Sequence, residues 1–345
     1  MKLVTILGTR PELIRLSRII PKLDTRCDHT LIHTGQNYDD NLNKIFMDEL
    51  GIRHADYSLG ATGSFGEQIA NMMPKLEQIL TRVKPDAFLV LGDTNSSLGA
   101  IMAKRLGIRV FHMEAGNRCF DDRSPEEVNR RIIDHSSDIL LPYTERSRQN
   151  LLDEGIHSSR IYVTGNPIKE VIDTLQLKYV EGDYILVTLH RQENVDDPKR
   201  LATFVEAMAK LAYIHHKKVI WPIHPRTKKN LGHIIIPSSL ELIEPVGFKR
   251  FVSLEKNAYC VLTDSGTVQE ECAIFNTPVV TLRDTTERPE TVEIGANFIS
   301  GCDVDKIING VKIVANKRAK ASIPPEYLVN DVSDRIVNIV LGYYR

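Results

Sequence analysis

Several common chemistries leave no trace in this chain of 345 residues. No GxxxxGK[ST] segment occurs, and the glycines at 60, 63 and 66 follow no clear strand, so the sequence predicts neither a P-loop nor a dinucleotide fingerprint. The five cysteines, Cys27, Cys119, Cys260, Cys272 and Cys302, form no CxxC pair and are odd in number. That pattern excludes a paired disulfide framework and predicts structural thiols in a reduced, cytoplasmic protein. None of the eleven histidines stands in HExxH spacing, and the adjacent pair His215–His216 reads as a solvated turn. With a net charge of −1 there is no basic excess for nucleic acid or a membrane surface. No apolar run approaches a membrane span, and the opening KLVTIL is too short for the core of a signal peptide.

What is present is an alternation of strand-like and helix-like segments from end to end, the pattern of α/β layers. Short Val/Ile/Leu runs predict buried parallel strands at Lys2–Leu7, Thr30–His33, Ala87–Leu91, Val110–Met113 and Ile139–Leu141. A second set is predicted at Ile185–Leu189, Lys218–Ile223, Cys260–Thr263 and Pro278–Leu282. Apolar residues at Ile69, Met72, Met73, Leu76 and Leu80 predict a helix over Ile69–Arg82. Two domains follow from the length, with the joint near Lys169–Asp183, where KYVEGD breaks the rhythm. The tail Pro325–Arg345 ends on an amphipathic helix whose docking the residues leave open.

In open α/β sheets ligands bind beyond the carboxyl ends of the strands. Asp93 in LVLGDTNS, Glu114 in VFHMEAGNR and His190 in ILVTLHRQEN all stand at such ends. Ser124-Pro125-Glu126-Glu127 predicts a capping box made by Ser124 and Glu127, leaving Glu126 as a spare carboxylate. Two carboxylates sharing a low-dielectric cleft cannot both ionise easily, so Asp93 and Glu114 are expected to divide acid and base roles. Ser265-Gly266 turns from a strand into a helix and presents backbone N–H groups to a phosphate, with Glu270 and Glu271 in the first turns. Arg283 and Arg288 follow the next strand, and His224 with Arg226 ends another. Arg10 and Arg15 lie on the turn and helix after the first strand; each of these is also compatible with a plain cap or a surface charge.

The ordered blocks GTRPE, TGQNYD, LGDTNS, HMEAGNRCFD, PEEVNRRIIDH, HRQEN, DSGTVQEE and RDTTERPE closely resemble the non-hydrolysing UDP-N-acetylglucosamine 2-epimerase family. The resemblance implies two Rossmann-like domains facing a cleft, as in glycosyltransferase-B folds. The first would cover residues 1–170 and carry the catalytic carboxylates. The second, residues 171–328, would bind UDP, and a helix over 329–345 would cross back to pack on the first. It implies a catalytic group of Asp93, Glu114, Glu126 and His190. Substrate binding would fall to Arg10, Arg15, Arg130, His224, Arg226, Phe248, Ser265, Gly266, Glu271 on the ribose, and Arg283. It also implies a homodimer, a UDP-linked N-acetyl amino sugar as ligand, and no cofactor.

The implied chemistry is coherent. The C2 proton of a hexosamine is not acidic, but expulsion of UDP from C1 creates an oxocarbenium-like centre that makes its loss feasible. Anti elimination gives a 2-acetamidoglycal; reprotonation on the other face and return of UDP give the C2 epimer. Two acid/base groups are needed, and no redox cofactor is.

Departures from the common family pattern bear on the sugar. Arg15 replaces a lysine, DSGT replaces DSGG, and TGQNYD replaces a segment tied in some members to activation by UDP-N-acetylglucosamine. Glu114–Asp121 looks most like the branch acting on UDP-6-deoxy-L-hexosamines, ahead of UDP-N-acetylglucosamine itself. A hydrolysing epimerase, a glycosyltransferase and a non-catalytic nucleotide-sugar sensor remain the competing readings.

Overall fold

The computed structural model describes residues 1–35, 47, 49–180, 182–232, 234–316 and 322–343. The chain divides into two compact units, Met1–Val171 with Glu326–Arg345, and Ile172–Pro325; the division falls inside the helix Ile168–Thr174. The first unit holds β1 (Lys2–Leu7), β2 (Asp28–His33), β3 (Tyr57–Ser58), β4 (Ala87–Leu91), β5 (Arg109–Met113) and β6 (Ile139–Leu141). The second holds β7 (Tyr184–Thr188), β8 (Lys218–Pro222), β9 (Leu240–Ile243), β10 (Cys260–Thr263), β11 (Val279–Thr281) and β12 (Asn297–Ile299).

Both sheets are parallel, and their orders are β3-β2-β1-β4-β5-β6 and β12-β11-β10-β7-β8-β9. Each is therefore the doubly wound order 3-2-1-4-5-6, and the two Rossmann-like domains implied by the family resemblance are present. The order reverses between β1 and β4 in the first unit and between β7 and β10 in the second. Such a switch point opens a crevice at the strand ends, which is why these four ends matter most for function.

Successive strand residues feed opposite faces, so each sheet carries a core on both sides. Leu3, Leu7, Leu89 and Leu91 pack under the helix Arg10–Leu16 and the terminal helix Val332–Gly342, which contributes Val332, Ile336, Val337 and Val340. Val4, Ile6, Phe88 and Val90 pack beneath Phe65–Val83. In the second unit Ile185, Val187, Trp221 and Leu262 form one core, and Leu186, Leu254 and Val261 the other.

Three strands escape the sequence reading. β3 has two residues, β12 three, and β9 alternates as LELI; all lie at or near sheet edges, where burial leaves little apolar signal. The helix expected to begin at Ile69 begins at Phe65, because Ser64 and Glu67 form the capping box that starts it. The glycines at 60 and 63 do follow a strand, β3, but take positive φ (61° and 100°) ahead of that cap. Among the described residues no helix is long and apolar enough to cross a membrane, and no cluster of His, Cys, Asp or Glu fits a metal ion.

Candidate active site

In the first unit the two carboxylates sit at the ends of neighbouring strands, since β4 pairs directly with β5. Asp93 Oδ2 accepts from Arg130 Nε at 2.8 Å, and its backbone carbonyl accepts from Asn129 Nδ2 at 2.9 Å. Glu114 Oε2 stands 3.6 Å from Arg15 Nε, and its Oε1 accepts from Asn117 Nδ2 at 3.2 Å. Each carboxylate thus has a guanidinium of its own, which replaces the picture of two carboxyls competing in one cleft.

Arg15 is 2% exposed, which rules out the bland reading of a surface arginine. Arg130, expected on the substrate, is also buried, and it bridges Asp93 to Glu127 through Nη1 at 2.7 Å. It is held between the two carboxylates and orients Asp93.

The expected capping box at Ser124 does not form. Ser124 is the N-cap of Pro125–Ser136 but makes no side-chain cap bond; its hydroxyl donates to Glu126 Oε2 at 2.8 Å. Glu127 instead turns inward and is fully buried, accepting the N–H groups of Cys119 and Phe120 at 3.1 Å each. The reason is local: the Cys119 and Phe120 N–H groups, the Cys119 thiol and Arg130 outweigh one backbone N–H at the helix start. Its ionisation is held below the ordinary carboxylate value; burial opposes this, but the Cys119 N–H and Arg130 outweigh it.

Across the switch point, Arg10 opens the helix Arg10–Leu16 after β1. Glu12, which the sequence reading passed over, ties that turn together. Its Oε2 accepts Gly8 N–H at 3.0 Å, Thr9 N–H at 2.7 Å and Thr9 Oγ1 at 2.7 Å, while Oε1 accepts Thr94 Oγ1 at 3.0 Å. Burial raises Glu12 to about 7 despite these donors. Of the TGQNYD segment, Gln36–Asp39 lie outside the described residues.

In the second unit His190 follows β7, with Nδ1 3.1 Å from Asp264 Oδ1. Asp264 is fully buried at the end of β10 and also accepts the N–H groups of His190 and Arg191 at 2.9 and 2.8 Å. Burial would raise it, but His190 and these N–H groups bring it down to about 2. The imidazole is 41% exposed, so it is fixed at one edge and open at the other. His224 lies beside it, with ring centroids 5.8 Å apart, and caps the helix Pro225–Leu231 by accepting Arg226 N–H at 3.2 Å.

Ser265 precedes the helix Gly266–Phe275 without capping it; its hydroxyl meets Thr267 Oγ1 at 3.1 Å. A Cβ on Gly266 would stand 2.4 Å from Glu287 Oε1, so a larger residue would have to displace that carboxylate. Glu287 in turn holds Arg283 Nη1 at 2.6 Å and lies 3.6 Å from Arg191 Nη2. Arg191 and Glu287 were missed because each motif already offered a more obvious neighbour. Glu271 lies buried against Glu255, whose two oxygens meet no N–H or hydroxyl donor. Burial first, and the Glu271 charge second, push Glu255 well above the carboxylate range.

Three further expected binding residues have these surroundings. Arg226 is paired with Asp196 at 2.9 Å, Phe248 is buried at the start of its helix, and Arg288 is held by Glu270. Arg226 is partly exposed in its pair, and Arg288, on the RDTTERPE turn, is buried with its partner.

Comparison with known proteins places the chain in a family. Residues 22–341 match the family described as UDP-N-acetylglucosamine 2-epimerase. The UDP-N-acetylglucosamine 2-epimerase of Methanocaldococcus jannaschii is 46% identical over 343 residues, covering 92% of this chain and 93% of that protein. The crystal structure of the M. jannaschii UDP-GlcNAc 2-epimerase in complex with UDP-GlcNAc and UDP superposes with a TM-score of 0.93 at 43% identity, covering 99% of this chain and 100% of that one. A UDP-2,3-diacetamido-2,3-dideoxy-D-glucuronate 2-epimerase of Pseudomonas aeruginosa is 37% identical over 92% of this chain and 93% of its own length. With its eight motif blocks, its two doubly wound units and this match over nearly its whole length, the chain belongs to the UDP-N-acetylglucosamine 2-epimerase family of carbohydrate epimerases.

Proposed function

We propose that the protein inverts C2 of a UDP-linked 2-acetamido sugar by eliminating UDP and adding it back. In the elimination, a first-unit carboxylate takes the C2 proton while the C1–O electron pair leaves with UDP. In the return step a proton is delivered to the opposite face of C2, and the diphosphate oxygen re-forms the bond at C1. Asp93 and Glu114 are the proton carriers, with Glu126, at the start of the helix Pro125–Ser136, as a third carboxylate. The observation that carries this reading is the pair of neighbouring strand ends, each with a carboxylate fixed by an arginine, Arg130 or Arg15.

The second unit holds the leaving group in this reading. Ser265-Gly266 and the helix behind it meet the diphosphate, Glu271 the ribose hydroxyls, and His224 the nucleotide. His190, oriented by Asp264, and Arg10 stabilise the departing charge. Arg283 acts beside its partner Glu287.

The sugar proposed first is UDP-N-acetylglucosamine, converted to its manno epimer, since relatives named for that activity are the most similar ones described above. A UDP-2-acetamido-2,6-dideoxy-L-hexose is the second reading. It is supported by Phe120, a ring 71% exposed at φ 54° on the segment after Glu114, which suits a sugar face lacking a hydroxyl. The test is a panel of UDP-N-acetylhexosamines of both series, incubated in deuterium oxide and followed by NMR. The true substrate gains one deuterium at C2 and yields its epimer. Release of free sugar would point to a hydrolysing enzyme, and binding without exchange to a sensor. The homodimer belongs to the same proposal; light scattering should give twice the chain mass.

A further inference from the structure

His112 lies on β5 with its side chain 1% exposed, and the reaction gives it no part. Its Nδ1 is 2.8 Å from Asp134 Oδ1, and its Nε2 is 2.9 Å from the carbonyl oxygen of Gly92. Both partners are oxygen acceptors with no hydrogen to give. A neutral imidazole offers one N–H and would set a bare lone pair against the second oxygen; only the doubly protonated ring satisfies both contacts. Asp134 is fully buried and carries the matching charge. Burial would raise it, but His112 and Arg118 hold it below the ordinary aspartate value.

The triad reaches both proton carriers. Gly92, whose carbonyl His112 holds, immediately precedes Asp93 and has φ 69°. Asp134 Oδ2 accepts the Gly116 N–H at 3.1 Å, two residues after Glu114, and stands 2.8 Å from Arg118 Nη2. Glu114 itself has φ 64°, a left-handed conformation that is strained for a residue with a Cβ. Such strain persists where the surroundings over-determine it. Here the Glu114 N–H donates to Leu141 O at 3.1 Å on one side, and Asp134 fixes Gly116 on the other. Gly116 admits no side chain, since a Cβ would stand 2.2 Å from Ser147 O.

We propose that a buried His112 imidazolium, paired with Asp134 and backed by Arg118, is a positioning device that locks the Asp93 and Glu114 turns into one rigid frame. The charge stands on the geometry alone, whereas the positioning role rests on the function proposed above. Nitrogen-15 NMR of the ligand-free protein at pH 7.5 tests the charge: both His112 ring nitrogens should show protonated shifts, and one bare nitrogen overturns the assignment. For the role, His112→Gln should lower kcat by about 100-fold, as a displacement of reacting groups near 1 Å does. KM and the UDP dissociation constant should stay within threefold. A kcat within threefold of the parent, or parallel loss of UDP binding and fold, overturns the role. Because the nitrogen shifts are read without substrate, failure of the charge assignment is distinct from failure of the proposed reaction.

Discussion

The two units close the same topological switch point with the same kind of group and obtain opposite results. In the first, Glu12 joins the turn after β1 to Thr94 after β4; in the second, Asp264 after β10 joins back to His190 and Arg191 after β7. Both carboxylates are buried and both accept backbone N–H groups. Glu12 meets only neutral donors and is raised to about 7, whereas Asp264 faces an imidazole and falls to about 2. One adjacent ionisable ring decides whether burial or hydrogen bonding wins. The fold supplies the crevice, and the residue beside the carboxylate sets its charge.

Substitutions that separate the units by phenotype give the largest effect. Asp93→Asn or Glu114→Gln should cut C2 deuterium exchange by about 10³-fold or more. UDP affinity, measured by calorimetry, should hold within threefold; a joint loss of both would erase the division of labour. Next comes the pH dependence of folding, which has opposite signs at the two clamps. Because Glu12 is raised from 4.5 to about 7, the folded state holds a proton the unfolded chain has lost. The wild type should therefore lose stability as pH rises from 4.5 to 7, by on the order of 3 kcal/mol, relative to Glu12→Gln in urea titrations.

Asp264 is depressed from 3.8 to about 2, so its contribution is present above pH 4 and disappears as pH falls through 2. Asp264→Asn should cost about 2 kcal/mol of that pH-dependent stability at pH 7, and the gap between variant and parent should narrow in acid. The smallest effect is expected at Glu271→Gln: UDP affinity about tenfold weaker, as for one lost hydrogen bond to a charged group, with kcat changed less than threefold.

Much of this was legible in the residues. Buried parallel strands announce themselves as Val/Ile/Leu runs, so β1, β4, β6 and β10 were placed at their observed bounds, and with them the turns bearing Asp93 and Ser265; β7, which leads to His190, was placed one residue late. Edge strands such as β3 and β12 have too few buried residues to leave a pattern. The partners of each side chain were less visible. Glu126 and Glu127 are adjacent, and no rule of spacing tells which turns inward; the Cys119 and Phe120 N–H groups that capture Glu127 come from a loop seven and eight residues earlier. That Arg130 of PEEVNRR pairs with Asp93 is not visible from sequence spacing. Glu12 and Asp264 were hidden for a related reason: a clamp across a switch point depends on strand order, which sequence distance does not reveal.

The account depends on the C1–O bond breaking before C2 is inverted, and UDP-N-acetylglucosamine carrying oxygen-18 in that bridging position tests it in deuterium oxide. The expected result is one deuterium at C2 together with movement of the heavy oxygen into the non-bridging positions of the diphosphate. Epimer formed with deuterium at C2 while the heavy oxygen stays in the bridge would contradict it.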